Sequence, residues 1–163
     1  MIEKIKNVLS EKEHTEIHKK LTKLNFPWYM EKEATELDKL LFFTHIFYKD
    51  FTINSDFYSL VLPILKILDP VSLVTIRANL NYNRGYKLYS GFHEDRYNQN
   101  KKNLEYKTAI YYVNTNNGYT ELKDKTKIKS IANSMVIFPA NTTHRVCTQT
   151  DTEYRILINF NYF

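Results

Sequence analysis

His93-Glu94-Asp95 puts an imidazole and a carboxylate two residues apart. On an extended strand such residues point to the same face. There a neutral imidazole and a carboxylate can share a divalent metal. With 5 His and 18 acidic residues in a chain of 163, the spacing alone is a weak signal, and His14-Thr15-Glu16 repeats it. The rival stands in another context. Ser10-Glu11-Lys12-Glu13 reads as a capping box, in which the Ser and Glu side chains satisfy each other's free amides. A helix is therefore predicted to about Leu24, with Ile17, Leu21 and Leu24 on one face. Residues two apart on a helix do not face each other, so His14 and Glu16 are poorly placed to share an ion. His14 and His18 do share a face, but among Lys and Glu, and are expected to form a solvated surface pair.

A third ligand comes later in the chain. His144 follows the apolar run Met135-Val136-Ile137-Phe138-Pro139 and a short turn. Two His and one carboxylate leave coordination positions open, the ligand set of non-haem Fe(II) oxygenases. Those positions can take a chelating α-keto acid and O2. A 2-oxoglutarate molecule also needs a cation for its far carboxylate, which Arg binds bidentately. Arg155 lies on the polar side of an alternating segment and suits that role, whereas Arg145 points away from its neighbour His144. Glu94, alternating with the ligands, is expected to be a surface charge, and Cys147 a small apolar filler. Arg96 and Tyr97 follow the first two ligands and stand either at the substrate or at the rim.

The elements that must position these residues follow from periodicity. In Ser72 to Tyr82, one face carries Val74, Ile76, Ala78, Leu80 and Tyr82, the other Thr75, Arg77, Asn79 and Asn81. Tyr154 to Tyr162 repeats this, with Tyr154, Ile156, Ile158, Phe160 and Tyr162 against Arg155, Leu157, Asn159 and Asn161. The polar faces hold Arg and Asn but no Lys or Glu, although the chain is rich in Lys. That favours an interior lined with fixed hydrogen-bonding groups over a solvated face. Further strands are predicted at Ile2 to Val8, Phe42 to Tyr48, Lys87 to Asp95, Thr108 to Asn114, Ser134 to Phe138 and His144 to Thr148. A second helix is predicted from Asn54 or Ser55 to about Leu68, kinked by Pro63 and ended by Asp69-Pro70. Asn25-Phe26-Pro27-Trp28-Tyr29 is a break anchored by its aromatics, and His45 is a satisfied core histidine. Asn116-Asn117-Gly118 and Pro139-Ala140-Asn141 mark turns, and Asn98 to Glu105 an exposed loop. The result is a mainly β fold with flanking helices, a jelly roll or small barrel. It is expected to be one domain over residues 1–163, with 1–70 mostly helical support and 71–163 the jelly-roll core.

Composition narrows the function. A hydrophobic content of 43% and an aromatic content of 15% belong to a globular chain. The single cysteine excludes an internal disulfide and a Cys-based zinc site. The net charge of +5 is carried by scattered Lys, so a protein or small-molecule substrate is favoured over nucleic acid. No apolar run is long enough to span a membrane and no signal peptide is evident, so a cytoplasmic setting is expected.

These residues resemble a known family, the prolyl-4-hydroxylase-like branch of the 2-oxoglutarate/Fe(II)-dependent dioxygenases. Phe92-His93-Glu94-Asp95 is similar to its His-x-Asp strand, and Thr108-Ala109-Ile110-Tyr111-Tyr112-Val113-Asn114 to its next core strand. Gly118-Tyr119-Thr120-Glu121-Leu122 resembles its Gly-Gly-x-Thr turn, and Val136-Ile137-Phe138-Pro139 to His144 the approach to its distal His. The front half, with Phe26-Pro27-Trp28-Tyr29 and Arg77-Ala78-Asn79-Leu80, is similar to small stand-alone oxygenases of tailed phages. The resemblance implies a double-stranded β-helix (the cupin-like jelly roll). It implies Fe(II) on His93, Asp95 and His144, O2, and 2-oxoglutarate on Arg155 with Ile110 and Tyr112 beside it. Asn79 is placed with them at the co-substrate, and it or Asn81, on the inward face, would line the pocket. The implied reaction hydroxylates an unactivated C–H, of a prolyl or other amino-acid residue, while 2-oxoglutarate becomes succinate and CO2. A cupin-like metalloenzyme without 2-oxoglutarate, or a non-catalytic module, is the alternative. One departure stands out: many relatives carry Arg-x-Ser, and here the run is Arg155-Ile156-Leu157. Either Tyr112, Thr108 or an Asn takes the Ser's role, or the co-substrate is bound more weakly. Selectivity is expected in Tyr82 to Ser90 and Asn98 to Lys107.

Overall fold

The two alternating segments lie side by side at the centre of the molecule. In the computed structural model, which describes residues 2–32, 41–95 and 106–163, they form strands β5 (Leu73–Tyr82) and β11 (Tyr154–Tyr162). The two pair antiparallel, with Arg155 opposite Asn81, Leu157 opposite Asn79 and Asn159 opposite Arg77. The other described elements are β1 (Glu3–Lys6), α1 (Glu11–Leu21), β2 (Tyr29–Lys32), β3 (Leu41–Lys49), β4 (Thr52–Ile53), a 3-10 turn (Tyr58–Val61) and α2 (Leu62–Leu68). After β5 come β6 (Lys107–Tyr112), β7 (Tyr119–Leu122), β8 (Lys127–Lys129), β9 (Ser134–Pro139) and β10 (His144–Cys147). The major sheet runs β1-β9-β6-β11-β5-β3-β2 with β4 beside β3, and the minor sheet runs β10-β7-β8. Every pairing is antiparallel. This is the double-stranded β-helix, with the helices packed outside it.

Alternation divides the core in two. The outward face of the major sheet, with Ile76, Ala78, Tyr111, Met135, Ile156, Ile158 and Phe160, packs against Ile17, Leu21, Phe26 and Ile64 of the helical layer. The inward face carries a smaller apolar cluster of Ile110, Tyr112, Val136, Phe138 and Leu157, closed by Leu122 and Ile128 of the minor sheet. The polar residues of β5 and β11 share that inward face, so they line a space between two sheets, as the missing Lys and Glu suggested.

The front of the chain departs from expectation in several places. Residues 1–70 contribute β1 to β4 to the major sheet as well as the helices. Helix α1 keeps its capping box, with Glu13 N–H on Ser10 Oγ at 3.3 Å and Ser10 N–H on Glu13 Oε2 at 3.0 Å. It stops at Leu21, three residues early, because the Trp28 indole N–H takes the Leu21 carbonyl at 3.1 Å. Leu24 is therefore fully exposed. His14 is no solvated partner of His18. Its Nδ1 lies 2.7 Å from the hydroxyl of fully buried Tyr111, a phenol that needs a polar partner. The second helix begins later than predicted: Ser55 Oγ accepts from Phe57 N–H and starts a 3-10 turn. Pro63 then falls in the first turn of α2, where its missing N–H costs nothing, and no interior kink results. His45 is a satisfied core histidine, with Nδ1 at 2.9 Å from the Pro27 carbonyl and Nε2 at 2.7 Å from Ser55 Oγ. Burial holds its imidazole below the ordinary range against the opposing Pro27 carbonyl.

The predicted strand Lys87 to Asp95 is reduced to two isolated bridges, Tyr89 with Cys147 and His93 with His144. Beside the backbone bonds from Ser90 N–H to Val146 and from Thr148 N–H to Leu88, hydroxyls take the return ladder positions. Leu88 N–H donates to Thr148 Oγ1 at 2.8 Å and Val146 N–H to Ser90 Oγ at 2.9 Å. Asn98 to Glu105, with Arg96 and Tyr97, lies outside the described residues.

Candidate active site

The bridge between His93 and His144 brings together residues far apart in sequence. His93 and His144 exchange backbone hydrogen bonds of 2.9 Å in both directions. Asp95 N–H donates to the Ala140 carbonyl at 3.0 Å, which holds the third residue on the same edge. Asp95 Oδ1 lies 3.8 Å from His93 Nε2, and Asp95 Oδ2 lies 3.9 Å from His144 Nε2. One ligand atom from each residue falls within 4.8 Å of the others.

The other nitrogens are taken up by backbone carbonyls, which leaves the Nε2 atoms to face Asp95 and each other. His93 Nδ1 lies 3.1 Å from the Gly91 carbonyl and His144 Nδ1 lies 2.9 Å from the Thr142 carbonyl. A carbonyl only accepts, so each Nδ1 carries the proton and each Nε2 presents a bare lone pair. Two lone pairs and a carboxylate converging at this spacing fit a divalent cation, and the backbone carbonyls are the outer support such ligands need. His144 is buried against Phe138, with ring centroids 5.0 Å apart. Burial pushes its imidazole below the ordinary range, which keeps it neutral, with Asp95 acting the other way. His93 is the open side of the triad, its side chain 39% exposed.

Asp95 is aimed by a relay that sequence reasoning missed. Thr75 Oγ1 donates to Asn161 Oδ1 at 3.1 Å, Asn161 Nδ2 to Thr108 Oγ1 at 3.1 Å, and Thr108 Oγ1 to Asp95 Oδ2 at 3.0 Å. The direction is forced, because an ionised carboxylate only accepts. Thr108→Val keeps the shape and removes the last donor. The expected result is about 10–100-fold weaker Mn(II) binding, read by electron paramagnetic resonance, with the fold retained.

On the same inward face of β11, Arg155 is the largest fully buried side chain among the described residues. Its Nε donates to Ser130 Oγ at 2.8 Å and its Nη2 lies 3.4 Å from Thr120 Oγ1. The Tyr112 hydroxyl lies 2.8 Å from Thr120 Oγ1, and the Tyr112 ring lies 5.7 Å from the guanidinium carbon. Nη1 has no hydrogen-bond partner and no carboxylate faces the group among the described residues. Burial lowers its pKa, with Tyr112 opposing, yet a guanidinium does not lose its proton in proteins. A buried cation without a counter-ion is costly, and its free N–H group marks where an anion would sit. Gly118 makes room for this arm: a Cβ there would fall 2.8 Å from Arg155 Cδ and 2.9 Å from the Cys147 carbonyl.

The remaining residues sort themselves around this centre. With Leu157 two residues after Arg155, the hydroxyls beside the guanidinium come from Ser130, which follows β8, and from Thr120 with Tyr112. Thr108 is excluded from that role because it serves Asp95. Ile110 lies opposite Asn159 and is buried in the inward apolar cluster beside Tyr112. Asn79 faces the same interior, with Oδ1 unpartnered. Arg145 points to the outer face of the minor sheet, as expected. It is paired with Glu121 at 2.6 Å and held between the rings of Tyr89 and Phe92 at 4.6 and 4.5 Å. Glu94 is more than a surface charge, since it accepts from Thr143 Oγ1 at 3.1 Å. Cys147 is fully buried, and Tyr82, Tyr86 and Tyr89 of the expected selectivity segment are exposed.

Known proteins resemble this chain in sequence profile and in fold. The sequence profile of the 2OG-Fe(II) oxygenase superfamily matches residues 79–163. No curated protein matches the chain by sequence. Among solved structures, the prolyl hydroxylase of Trichoplax adhaerens, in complex with a hypoxia inducible factor oxygen degradation domain peptide, superposes with a TM-score of 0.72 at 14% identity. That match covers 99% of this chain and 83% of the other. The viral collagen prolyl hydroxylase of Paramecium Bursaria Chlorella virus-1, in its 2OG complex, gives 0.62 at 17% identity over 98% and 94%. A Pseudomonas putida prolyl-4-hydroxylase gives 0.58 at 13% over 99% and 91%. With a profile spanning the second half of the chain and a His-Asp-His triad inside that span, the protein belongs to the 2OG-Fe(II) oxygenase superfamily, enzymes that use Fe(II), 2-oxoglutarate and O2.

Proposed function

We propose that His93, Asp95 and His144 hold the Fe(II), that Arg155 anchors the far carboxylate of 2-oxoglutarate, and that the enzyme hydroxylates an aliphatic C–H of an amino-acid unit. The observation that carries this reading is the buried, unpaired Arg155 Nη1 on the face of β11 that also reaches Asp95 through Asn161 and Thr108. A metalloenzyme without an anionic co-substrate has no use for a cation in that place. Iron supplies the activation of O2, and the balance is one C–H, one 2-oxoglutarate and one O2 giving one C–OH, succinate and CO2.

The residues of this chain do the rest. Ser130 and Thr120 fix the guanidinium so that Nη1 meets the carboxylate without rearrangement. Tyr112 adds a hydroxyl at the same end, and Ile110 and Leu157 form a dry wall along the co-substrate. The relay from Thr75 holds the Asp95 carboxylate in one orientation. The viral and Trichoplax relatives are named for prolyl substrates, which supports an amino-acid residue as the target. Residues 1–163 act as one domain in this reading, in a cytoplasm, which for a phage protein would be the host's. No helix among the described residues is long and apolar enough to cross a membrane.

Anaerobic titration tests the assignment. Fe(II) and 2-oxoglutarate together are expected to give the weak visible charge-transfer band of a chelated α-keto acid, and His93→Ala is expected to lose it. A native protein with no band would sink the assignment.

A further inference from the structure

The interior contains unmet hydrogen-bonding atoms of two opposite kinds. Arg155 Nη1 is an unpartnered donor. Asn79 Oδ1 and Asn159 Oδ1 are buried acceptors without a donor among the described residues. The two acceptors are neighbours. Asn79 lies opposite Leu157 on β11, and Asn159 is the next inward residue along that strand. Diagonal positions of this kind bring side chains within common reach of one ligand. Asn159 is also one inward step from Asn161, whose amide reaches the metal triad through Thr108 and Asp95. Asn159 therefore stands one inward position from the relay that ends on Asp95.

The co-substrate cannot meet these atoms. At neutral pH, 2-oxoglutarate is two carboxylates and a ketone, with acceptors throughout and no donor. It answers Arg155 and leaves the asparagine oxygens as they are. Arg77, the nearest cation in register, is turned to Glu31 at 3.8 Å. Native proteins rarely leave a buried acceptor unsatisfied, so two such oxygens on adjacent inward positions mark a place where a ligand's donor would be well received.

We propose that Asn79 and Asn159 form a specificity subsite that accepts hydrogen bonds from N–H groups of the primary substrate, an amide- or amine-bearing amino-acid unit, free or within a peptide. This rests on the Arg155 and triad assignment above and reassigns Asn79 from the co-substrate to the substrate. A molecule with N–H donors gains hydrogen bonds to these oxygens that an acceptor-only molecule does not, and is preferred for that reason.

The test uses the full chain loaded with catalytically inert Zn(II) and saturating 2-oxoglutarate. The probes are a pool of free L-amino-acid amides, a pool of Ala-Ala-X-Ala-Ala peptides, and the N-methylated counterpart of each. Binding is read by saturation-transfer nuclear magnetic resonance. At least one unmethylated pool is expected to bind, and which one identifies the source of the N–H. The methylated counterpart, Asn79→Leu and Asn159→Leu are each expected to weaken binding by about tenfold or more, while Asn79→Asp and Asn159→Asp, which keep an acceptor, retain it. The 2-oxoglutarate affinity of the same variants, read by calorimetry, is expected to stay within about twofold. Binding of neither pool, equal binding of methylated probes, or unchanged binding in both Leu variants overturns the subsite. So does a fall in 2-oxoglutarate affinity in step with probe binding, which would give the asparagines to the co-substrate. A native protein that binds no 2-oxoglutarate overturns the assignment on which the subsite rests, and is read separately by the calorimetry.

Discussion

His144→Ala is expected to bind Mn(II) far more weakly than any variant that only disturbs a supporting hydrogen bond, beyond the roughly 10–100-fold cost of such a change. Succinate formation is expected to fall below detection with it. The reason lies in what the residue combines. His144 gives the one deeply buried lone pair of the triad, and its backbone closes the bridge that brings His93 alongside. The alanine keeps that backbone pairing but leaves two ligands, one of them on a partly exposed side chain. Circular dichroism should show the native sheet content, and His144→Gln provides a second variant if the alanine cavity beside Phe138 loosens the fold. Metal binding at wild-type strength in both would remove His144 from the centre.

Arg155→Met is expected to produce opposite changes in two measurements. The kcat/KM for 2-oxoglutarate should fall on the order of a hundredfold or more, the scale of losing one member of a buried charge pair. The thermal midpoint without co-substrate should hold or rise. In the empty protein this guanidinium is a fully buried cation with an unmet N–H and no carboxylate facing it among the described residues. Replacing a buried ion with an apolar side chain of similar length is often neutral or stabilising. Ser130 and Thr120 lose a partner, although Thr120 keeps the Tyr112 hydroxyl. A midpoint that collapses while KM stays unchanged would make Arg155 a structural residue instead.

What the sequence made legible follows from period and register. β5 and β11 alternate for nine or ten residues, so their faces were readable, and the face that lacked Lys and Glu was the interior. The triad was readable because His93 and Asp95 share a strand-like face and His144 follows a marked turn. Ser130 was not readable. It follows a three-residue strand, too short to show a period, and it meets Arg155 only because the minor sheet folds over the major one. Thr108 was noticed only as one of several stand-ins for the absent Ser, since nothing local says whether its hydroxyl turns to Asp95 or to Arg155. The strand expected at Lys87 to Asp95 failed because Ser90 and Thr148 hydroxyls take over ladder positions, a substitution that composition does not reveal. The second helix was misjudged at Pro63, where the same residue serves as an interior kink or a first-turn starter depending on where the helix begins.

The place of β11 in the sheet has a consequence for how the protein is made. It is the last of the described strands to leave the ribosome, yet it lies at the centre, with β6 on one side and β5 on the other. Until it emerges, β5 and β6 have no common neighbour and the two halves of the sheet cannot join. β1 has the same difficulty at the other end, since its partner β9 arrives more than a hundred residues later. Such long-range pairing folds slowly and leaves unpaired edges exposed while synthesis continues. Because Arg155 travels on β11, the step that completes the sheet also buries this guanidinium, and a nascent chain gains its central strand and its interior cation together.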